Sequence, residues 1–366
     1  MNIPQENKKE WDSYRAREFE EAISVLSRLG YSADQEQIHT SGERYLMSGR
    51  KLVLTGRRTE DNRKVIIKIS SDASGMKELE HEHLCRETIK KINFAYRAVL
   101  LPKELLFAKE GKFVIVISEF IEESRPFLSH SSQDQFFLAL RAFEMLEGVH
   151  ATASSHTKII GALRDARGAK EYIRTFAEFS KNIRSAAADD ESLRETMLKA
   201  EEFLKNGDDT IERYSGFLTH GDFVPHNLRI VGRDVYLLDH TSLLFGNKYE
   251  SVARFLNYLC IYNPELERWI SEYMRKNRGE QEYLSLRLMR AYKMGFLLQF
   301  YTGSLAQTEG DLHRLAWERI SFWKSVLSAI LNDEFVPIEQ VLKYKNKRDS
   351  LRSAEEMRRQ KELHQL

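Results

Sequence analysis

The chain is most tightly constrained by residues 218–228, which read Leu-Thr-His-Gly-Asp-Phe-Val-Pro-His-Asn-Leu. In this stretch Asn227 stands five residues after Asp222, and a short apolar run at residues 235–238 then leads to Asp239. Phosphoryl transfer from ATP needs one carboxylate that accepts the proton of the attacking hydroxyl. It also needs an amide oxygen and a second carboxylate that hold Mg²⁺. The pattern therefore predicts Asp222 as the catalytic base, and Asn227 and Asp239 as metal ligands.

Two simpler interpretations of the same stretch are weaker. Asp222 and Asn227 also suit a solvated surface turn with a capping amide, but their spacing before an apolar strand favours the catalytic interpretation. A hydrolase triad of Ser, His and Asp is disfavoured, because the sequence shows no third partner for His220. His226 is interpreted as a packing residue, since no other His or Cys clusters with it to form a zinc site.

With glycine in its second position, the His-Gly-Asp motif resembles the aminoglycoside phosphotransferase and choline kinase family. The resemblance implies a two-lobed, protein-kinase-like α+β fold, with a small antiparallel-sheet lobe and a large, mainly helical lobe. It also implies that ATP and Mg²⁺ lie in the cleft, and that the γ-phosphate moves to a hydroxyl of a small aminoglycoside-, choline- or sugar-like acceptor. The implied division is an N-terminal helical extension (1–41), an ATP-binding lobe (42–121), a catalytic and substrate lobe (122–331) and a charged tail (332–366).

In the first lobe the hydrophobic pattern predicts one helix and then a series of short strands. Residues 9–29 carry apolar side chains at helical spacing, ended by Gly30, and predict a helix on the outside of the lobe. Strands are predicted at residues 45–47, 52–54, 64–69, 105–108 and 113–117, with a hairpin turn at Lys109-Glu110-Gly111. A glutamate-rich helix is predicted at residues 75–89.

The resemblance to kinases predicts which residues contact the phosphates. Lys68 ends a Val-Ile-Ile-Lys run and resembles the strand lysine that contacts the α- and β-phosphates, whereas Lys64 suits a charge on a solvated edge. Kinases hold this lysine with a glutamate on the following helix. Glu82 is the predicted partner because it shares a helical face with apolar neighbours, and Glu78 is the alternative.

The remaining contacts to the nucleotide are predicted at two backbone segments. An acidic and aromatic segment follows the last strand and resembles a kinase hinge, so backbone groups of Glu119, Phe120 and Ile121 are predicted to bind the adenine edge. The loop over the phosphates is predicted between the first two strands, with Ser48 and Gly49 as donors. No Gly-x-Gly-x-x-Gly pattern occurs there, which departs from the protein-kinase pattern.

The second lobe shows one departure from the family pattern. Family members place an Asp before a Leu-Ala pair to brace the metal site, and this sequence has Ser251 there, beside Glu250. In kinase-like folds the histidine of the motif holds the loop by hydrogen bonds, and His220 is expected to do so. His150, in a Leu-x-x-x-His-Ala ending common in this family, is interpreted as structural. The charged tail at residues 343–364 predicts a solvated or frayed helix.

Composition limits the location and the partners. The 366 residues are 42% hydrophobic and 11% aromatic, enough for a packed core. The net charge of +1 argues against a surface that binds nucleic acid. Two cysteines, Cys85 and Cys260, form neither a disulfide framework nor a metal cluster. No signal-peptide core and no membrane-length apolar run appear, so we expect a cytoplasmic protein without a nucleic-acid or membrane partner.

Three functions stay open at this point: a small-molecule kinase, a nucleotide-binding pseudokinase that regulates a partner, and a protein kinase. The presence of Lys68, Asp222, Asn227 and Asp239 favours an enzyme. Protein kinases carry a long segment ending in Ala-Pro-Glu after the metal-binding Asp. Here an apolar helical pattern begins soon after Asp239 and the next proline is Pro264, so a small acceptor is favoured, although a fold does not name its substrate.

Overall fold

The structure, a computed structural model, describes residues 3–46, 50–91, 100–123, 125–150, 167–232 and 234–363. These residues form a small lobe around an antiparallel sheet and a larger lobe composed mainly of helices. The two-lobed α+β architecture predicted from the sequence is therefore confirmed. Every helix in the described part of the chain is too short or too polar to cross a membrane.

The small lobe contains a five-stranded sheet in which all neighbouring strands are antiparallel. Its strands are β1 (Tyr31–Ala33), β2 (Leu52–Arg58), β3 (Lys64–Ser70), β4 (Glu104–Glu110) and β5 (Phe113–Glu119), in the spatial order β1-β2-β3-β5-β4. Four of the predicted strands match these elements. Gly111 provides the left-handed residue (φ 57°) of the predicted β4–β5 hairpin. The three residues of β1 escape prediction because so short a run shows no period.

Helices cover both faces of this sheet. They are α1 (Ile3–Arg28) and α2 (Ala73–Lys90). On one face Leu26 of α1 shares a core with Ile67 of β3, which confirms the predicted N-terminal helix on the outside of the lobe. On the other face Leu79 of α2 packs with Val116 of β5. Successive side chains of a strand alternate between faces, so Lys68, which follows Ile67 and is paired with Val116 across the sheet, faces α2.

The strand predicted at residues 45–47 is wrong. Residues 45 and 46 belong to a 3₁₀ segment, Gly42–Leu46, and Met47 lies outside the described residues. Gly42 opens this segment with a left-handed φ of 64°. The Glu43 N–H donates to the carboxylate of Glu356, near the C-terminus, at 2.9 Å. A contact with a distant part of the chain thus decides the local conformation, which a short apolar run does not reveal.

The large lobe is built from ten described helices and two pairs of short strands. The helices are α3 (Ser132–His150), α4 (Ala169–Ala186), α5 (Glu191–Asn206), α6 (Asp208–Arg213), α7 (Glu250–Tyr262), α8 (Pro264–Arg278), α9 (Glu280–Ser304), α10 (Gly310–Leu331), α11 (Ile338–Leu351) and α12 (Ala354–Leu363). The paired strands are β6 (Phe217–His220) with β9 (Leu243–Gly246), and β7 (Leu228–Val231) with β8 (Asp234–Leu237). Almost all of α7 is buried, so the residues that project from it are firmly held.

The C-terminal segment is helical and largely exposed, as predicted, but several of its residues pack against the rest of the chain, so it is not frayed. Tyr344 of α11 stacks on Phe322 of α10, with ring centroids 4.0 Å apart. α12 reaches the small lobe, where Glu356 is buried. Arg319 of α10 also reaches the small lobe and pairs with Glu43 at 2.9 Å. Both helices therefore contact the rest of the chain, through Tyr344 and Leu351 of α11 and through the buried carboxylate of Glu356 in α12.

Candidate active site

The predicted catalytic segment lies in the turn between β6 and β7, which presents Asp222 and Asn227. At its start the Gly221 N–H donates to the Ser242 carbonyl at 2.7 Å, and an added Cβ would lie 3.1 Å from Leu244 Cδ2 of β9. Glycine therefore allows the ends of β6 and β9 to approach closely. The Leu238 N–H donates to the Asn227 carbonyl at 2.8 Å, which ties the turn to the segment that follows β8.

Both carboxylate oxygens of Asp222 have a partner. Asn227 Nδ2 donates to Oδ2 at 3.1 Å and to the Asp222 carbonyl at 2.8 Å. Arg254, from α7, donates its Nε–H to Oδ1 at 2.8 Å. Burial by itself would raise the pKa of Asp222, but the Arg254 guanidinium holds that pKa below its ordinary value. Asp222 is therefore ionised at neutral pH, as a group that accepts a proton must be.

Asp239, the second predicted metal ligand, adopts an uncommon backbone conformation. Its φ of 53° is left-handed, which Asp tolerates better than most residues. Thr241 Oγ1 donates to Oδ1 at 2.6 Å, and Ser242 Oγ donates to Oδ2 at 3.0 Å. Burial alone would raise the pKa of Asp239, but the Lys68 ammonium and the Thr241 hydroxyl hold it well below its ordinary value. A second ionised carboxylate thus lies within electrostatic reach of Lys68.

The oxygen atoms that Asn227 and Asp239 present suit a hard cation as ligands. Asn227 turns its amide nitrogen toward Asp222, so its Oδ1 faces away from that carboxylate. In the described part of the chain no donor contacts this Oδ1. Asp239 adds a carboxylate that keeps its charge. Mg²⁺ prefers oxygen ligands and is commonly bound by one or two carboxylates together with substrate phosphates, so the residues present fit a magnesium ion.

His220 is fully buried and joins the two halves of the site, as expected. Its Nε2 lies 2.9 Å from the Asp239 carbonyl and 3.3 Å from the Leu238 carbonyl. Backbone carbonyls only accept, so Nε2 carries the proton. Burial lowers the pKa of His220 below its ordinary value, in spite of the nearby carboxylates. We call the turn between β6 and β7, residues 221–227, the catalytic turn, after its predicted role. The neutral His220 ring therefore links the catalytic turn to the segment that carries Asp239.

Ser251 replaces the Asp of the family pattern and still supports the turn. Its Oγ accepts the His220 N–H at 2.8 Å, and lies 3.2 Å from the His220 carbonyl and 2.6 Å from Thr219 Oγ1. A hydroxyl both donates and accepts, so one buried side chain satisfies several polar groups of β6. The departure seen in the sequence therefore leaves the catalytic turn braced.

Strand β3 and helix α2 bring Lys68 and Glu82 together. The Lys68 Nζ lies 2.6 and 2.7 Å from the two carboxylate oxygens of Glu82, which is 1% exposed. Arg86, one helical turn further on, lies 3.6 Å from the same carboxylate. Glu78, the alternative partner, pairs with Lys51 at 2.8 Å instead. The contact predicted for Glu82 is therefore present, while its part in nucleotide binding stays a prediction.

At the end of β5, where the adenine site is predicted, the backbone N–H groups differ in whether they are already hydrogen-bonded. The Glu119 N–H donates to the Lys103 carbonyl at 2.9 Å, and the Phe120 N–H donates to the Lys64 carbonyl at 3.4 Å. These two amides are already used within the lobe. Among the residues that the structure describes, no acceptor reaches the Ile121 N–H. Ile121 is thus the predicted hinge residue whose amide is available to a ligand.

Three predictions fall outside what the structure describes. Ser48 and Gly49, the predicted phosphate donors, lie in the gap between residues 46 and 50. His150 ends α3, but its side chain is not described. The covering loop and the structural interpretation of His150 therefore stay predictions.

Sequence reasoning missed two basic residues of the site. Arg254 follows Ser251 by three residues in α7, a spacing that places both on one helical face. That spacing is the signal by which Arg254 was detectable. Lys51 pairs with Glu78 and also helps to lower the pKa of Asp239, but no pattern distinguishes it from a solvated lysine.

A second buried charge cluster lies behind the catalytic turn. Glu250, the first residue of α7, is fully buried and forms an ion pair with Lys293 of α9. Its Oε2 accepts the Tyr172 hydroxyl at 2.5 Å. Burial alone would raise the pKa of Glu250, but Lys293 holds it below its ordinary value. A Cβ on Gly221 would lie 3.7 Å from Lys293 Nζ, so this cluster directly supports the turn.

The overall fold is similar to that of solved small-molecule phosphotransferases. Macrolide 2'-phosphotransferase MphH from Brachybacterium faecium matches with a TM-score of 0.53 and 15% identity, covering 82% of this chain and 97% of that one. A thermostable mutant of aminoglycoside phosphotransferase APH(4)-Ia, in a ternary complex with AMP-PNP and hygromycin B, matches with a TM-score of 0.53 and 14% identity, covering 78% and 91%. APH(2")-IIia, in complex with GDP and kanamycin, matches with a TM-score of 0.52 and 15% identity, covering 79% and 92%.

At these identities the likeness shows the fold. No protein-family model matches the sequence, and no curated protein matches it. The protein-kinase-like fold predicted from the resemblance is nevertheless confirmed, because each match covers 78% or more of this chain and 91% or more of the neighbour.

Proposed function

We propose that this protein is an ATP- and Mg²⁺-dependent phosphotransferase that moves the γ-phosphate to a hydroxyl of a small molecule. The observation that carries the proposal is the carboxylate of Asp222, held between Asn227 and Arg254 just after β6. A surface turn has no need of a half-buried carboxylate fixed on both oxygens. The solved neighbours of the same fold, crystallised with AMP-PNP or GDP together with hygromycin B or kanamycin, support the assignment.

Each side chain of the site has a part in this reaction that its contacts support. Asp222 accepts the proton of the acceptor hydroxyl while the hydroxyl oxygen attacks the γ-phosphorus and ADP departs. Lys68, held by Glu82, contacts the α- and β-phosphates. Asn227 Oδ1 and the Asp239 carboxylate hold the metal. Magnesium, when bound, neutralises the charge that develops on the phosphate oxygens.

The adenine is held by the backbone at the end of β5. The Ile121 N–H is the donor, because the amides of Glu119 and Phe120 are used within the lobe. Ser48 and Gly49, which lie outside the described residues, keep their predicted role as phosphate donors. These assignments rest on the resemblance to kinases and on the free amide of Ile121.

The chain after Asp239 supports a small acceptor rather than a peptide. A 3₁₀ turn (His240–Ser242) follows directly, then β9, and α7 begins at Glu250. Residues 234–363 are described without a gap, and they contain no segment comparable to the long peptide-docking segment of protein kinases. A compact molecule held by the large lobe suits this arrangement.

A screen of hydroxyl compounds for ADP release tests the proposal, with Asp222→Asn as the blank. We expect turnover in the wild type and a fall on the order of 10²- to 10⁴-fold in Asp222→Asn, because a general base contributes about that much. AMP-PNP affinity should stay nearly unchanged, since Asp222 acts on the acceptor. Asp234→Asn, an exposed carboxylate in β8, is the matched control. Turnover in Asp222→Asn within about tenfold of the wild type would remove Asp222 from the mechanism.

Two further variants distinguish the residue proposed to bind the metal from the lysine proposed to contact the phosphates. Asp239→Ala should remove most of the Mg²⁺-dependent nucleotide binding, because it deletes a charged ligand. Lys68→Ala should weaken nucleotide binding and transfer while the Mg²⁺ dependence persists. Titration of Mg²⁺ against a fluorescent nucleotide measures both. Nucleotide binding in all variants without transfer to any acceptor would instead favour the pseudokinase alternative.

A further inference from the structure

Arg254, beside the proposed base, has hydrogen-bonding capacity left over. Its Nε–H is used by Asp222 at 2.8 Å, and its side chain is 26% exposed. In the described part of the chain no acceptor contacts its two terminal amino groups. A guanidinium presents its five N–H donors in a rigid plane that matches a carboxylate or phosphate. Arg254 is therefore a fixed cation whose remaining donors are available to an anion.

Arg254 also lies on the side of Asp222 from which an acceptor must approach. Asp222 Oδ2 faces Asn227, which belongs with Asp239 to the oxygen set proposed for the metal and thus for the phosphates. Asp222 Oδ1 faces Arg254. In phosphoryl transfer the attacking and leaving oxygens lie roughly in line across the phosphorus, so the acceptor comes from the side opposite the nucleotide. Because Arg254 contacts the Asp222 oxygen that Asn227 does not, the acceptor is expected on the Arg254 side of Asp222.

The same side of the site continues along α7 as aromatic rings and a second arginine. Tyr258 stacks on Tyr262, with ring centroids 4.3 Å apart, and packs edge-on against His226 of the catalytic turn. The guanidinium of Arg348, from α11, lies 5.9 Å from the centre of the Tyr262 ring. We name this wall, formed by Arg254, Tyr258, Tyr262 and Arg348, the arginine–tyrosine flank.

Within the arginine–tyrosine flank, Arg254 is the cation with donors to spare. Arg348 is buried, and its Nε–H donates to Asp349 at 2.8 Å. The charges that act most strongly on Asp222 are those of Arg254, two histidines and Asp239. An ammonium group of an acceptor would therefore meet a guanidinium of like charge, whereas an anionic group would meet a complementary one.

We infer that the acceptor is a hydroxyl compound with an anionic group, a carboxylate or a phosphate, which Arg254 binds. The inference rests on the proposed function, because it names the substrate class of that reaction. It sets this protein apart from the neighbours crystallised with hygromycin B and kanamycin, whose amino groups are cationic at neutral pH.

Matched acceptors that differ only in the anionic group provide the test. D-gluconate is compared with D-glucose, and glycerol 3-phosphate with glycerol, while kanamycin represents a polycation. The kcat/KM with Mg²⁺-ATP is measured for each, and binding to the Mg²⁺-AMP-PNP complex is measured by calorimetry. We expect the wild type to prefer an anionic member. The gluconate and glycerol 3-phosphate arms distinguish a carboxylate from a phosphate.

Arg254→Met should lower the ratio of anionic to neutral kcat/KM on the order of 10- to 100-fold, the range of a charge-assisted hydrogen bond. Arg254→Lys keeps the positive charge beside Asp222 but loses the planar fork, so it should recover part of the ratio if the first variant is folded. Arg314→Met is the matched control, because Arg314 is an exposed arginine of α10 paired with Asp311, and it should leave the ratio unchanged.

Several results would overturn the inference. A wild-type preference for glucose, glycerol or kanamycin would do so. An equal loss for all acceptors in Arg254→Met would also do so, because Arg254 would then act on Asp222 or on the transferred phosphate. The protein could bind nucleotide and still turn over no compound of the panel, which would count against the proposed function. In that case the calorimetric binding of the acceptors tests the role of Arg254 by itself. Tighter binding of an anionic member to the wild type than to Arg254→Met then supports it, and equal binding overturns it.

Discussion

Ser251 offers a sharp test of how the catalytic turn is held. The substitution Ser251→Ala removes one hydroxyl and changes the side-chain volume little. Its Oγ accepts the buried His220 N–H at 2.8 Å and lies 2.6 Å from the Thr219 hydroxyl. All three residues are fully buried, so water does not replace the lost contacts.

The expected cost follows from those two contacts. A buried N–H left without an acceptor costs about 1–3 kcal/mol, and an ordinary hydrogen bond contributes about 0.5–1.5 kcal/mol. The two polar groups stranded by Ser251→Ala should therefore lower the free energy of unfolding by about 2–4 kcal/mol. The same change should lower the rate of phosphate transfer. Without the Ser251 contact, His220 is held less firmly, and Asp222 follows it by two residues, in the catalytic turn.

Ser180→Ala is the control, since Ser180 of α4 is another fully buried serine of the same lobe. In the described part of the chain its hydroxyl has no hydrogen-bond partner, so its removal should change the free energy of unfolding by less than about 0.5 kcal/mol. Equilibrium unfolding in urea, followed by tryptophan fluorescence, compares the two variants with the wild type. Equal losses in both would refute the reasoning, because stability would then depend on serine deletion and not on the contacts of Ser251.

Three further variants probe the charges around the turn. Lys293→Met leaves the buried carboxylate of Glu250 without its main counter-charge and should cost about 3–5 kcal/mol in urea unfolding; a loss under about 1 kcal/mol contradicts this. Arg254→Met removes the charge that lowers the pKa of Asp222, so the acid limb of the pH profile of kcat/KM should move to higher pH; an unmoved limb contradicts the pairing. Burial lowers the pKa of His220 from 6.5, so the unfolded chain takes up this proton first as the pH falls. The free energy of unfolding should therefore drop below about pH 6.5, and His220→Gln should flatten that drop; an unchanged slope assigns the proton uptake to other groups.

Much of the fold and many residues of the candidate site were predictable, because residue spacing and hydrophobic patterns in short stretches of sequence indicate them. The Asp222–Asn227 spacing was visible in the sequence, and an apolar strand before Asp239 fixed the context. Lys68 was recognisable because a charged lysine is unusual within a run of β-branched apolar residues. Glu82 was identifiable by its place on a helical face, and the alternation of β3 then brings the two together.

Features that depend on distant contacts were not predictable. The 3₁₀ segment Gly42–Leu46 takes its shape from Glu356, which is remote in the sequence. The spacing of Arg254 from Ser251 indicates a shared helical face, but only the tertiary structure shows that Arg254 contacts Asp222. Ser251 was visible only as a departure from the family pattern, since a pattern of residue types does not show that its hydroxyl accepts the buried His220 N–H.

The packed C-terminal helices have a mechanical consequence for the cleft. Beyond the connection after β5, the lobes meet where the Leu237 N–H donates to the Leu100 carbonyl at 2.9 Å, and again where Glu43 contacts Arg319 and Glu356. Contacts at several separate places restrain the two lobes from sliding past each other. We therefore expect the opening of the cleft to depend in part on the last helix of the chain.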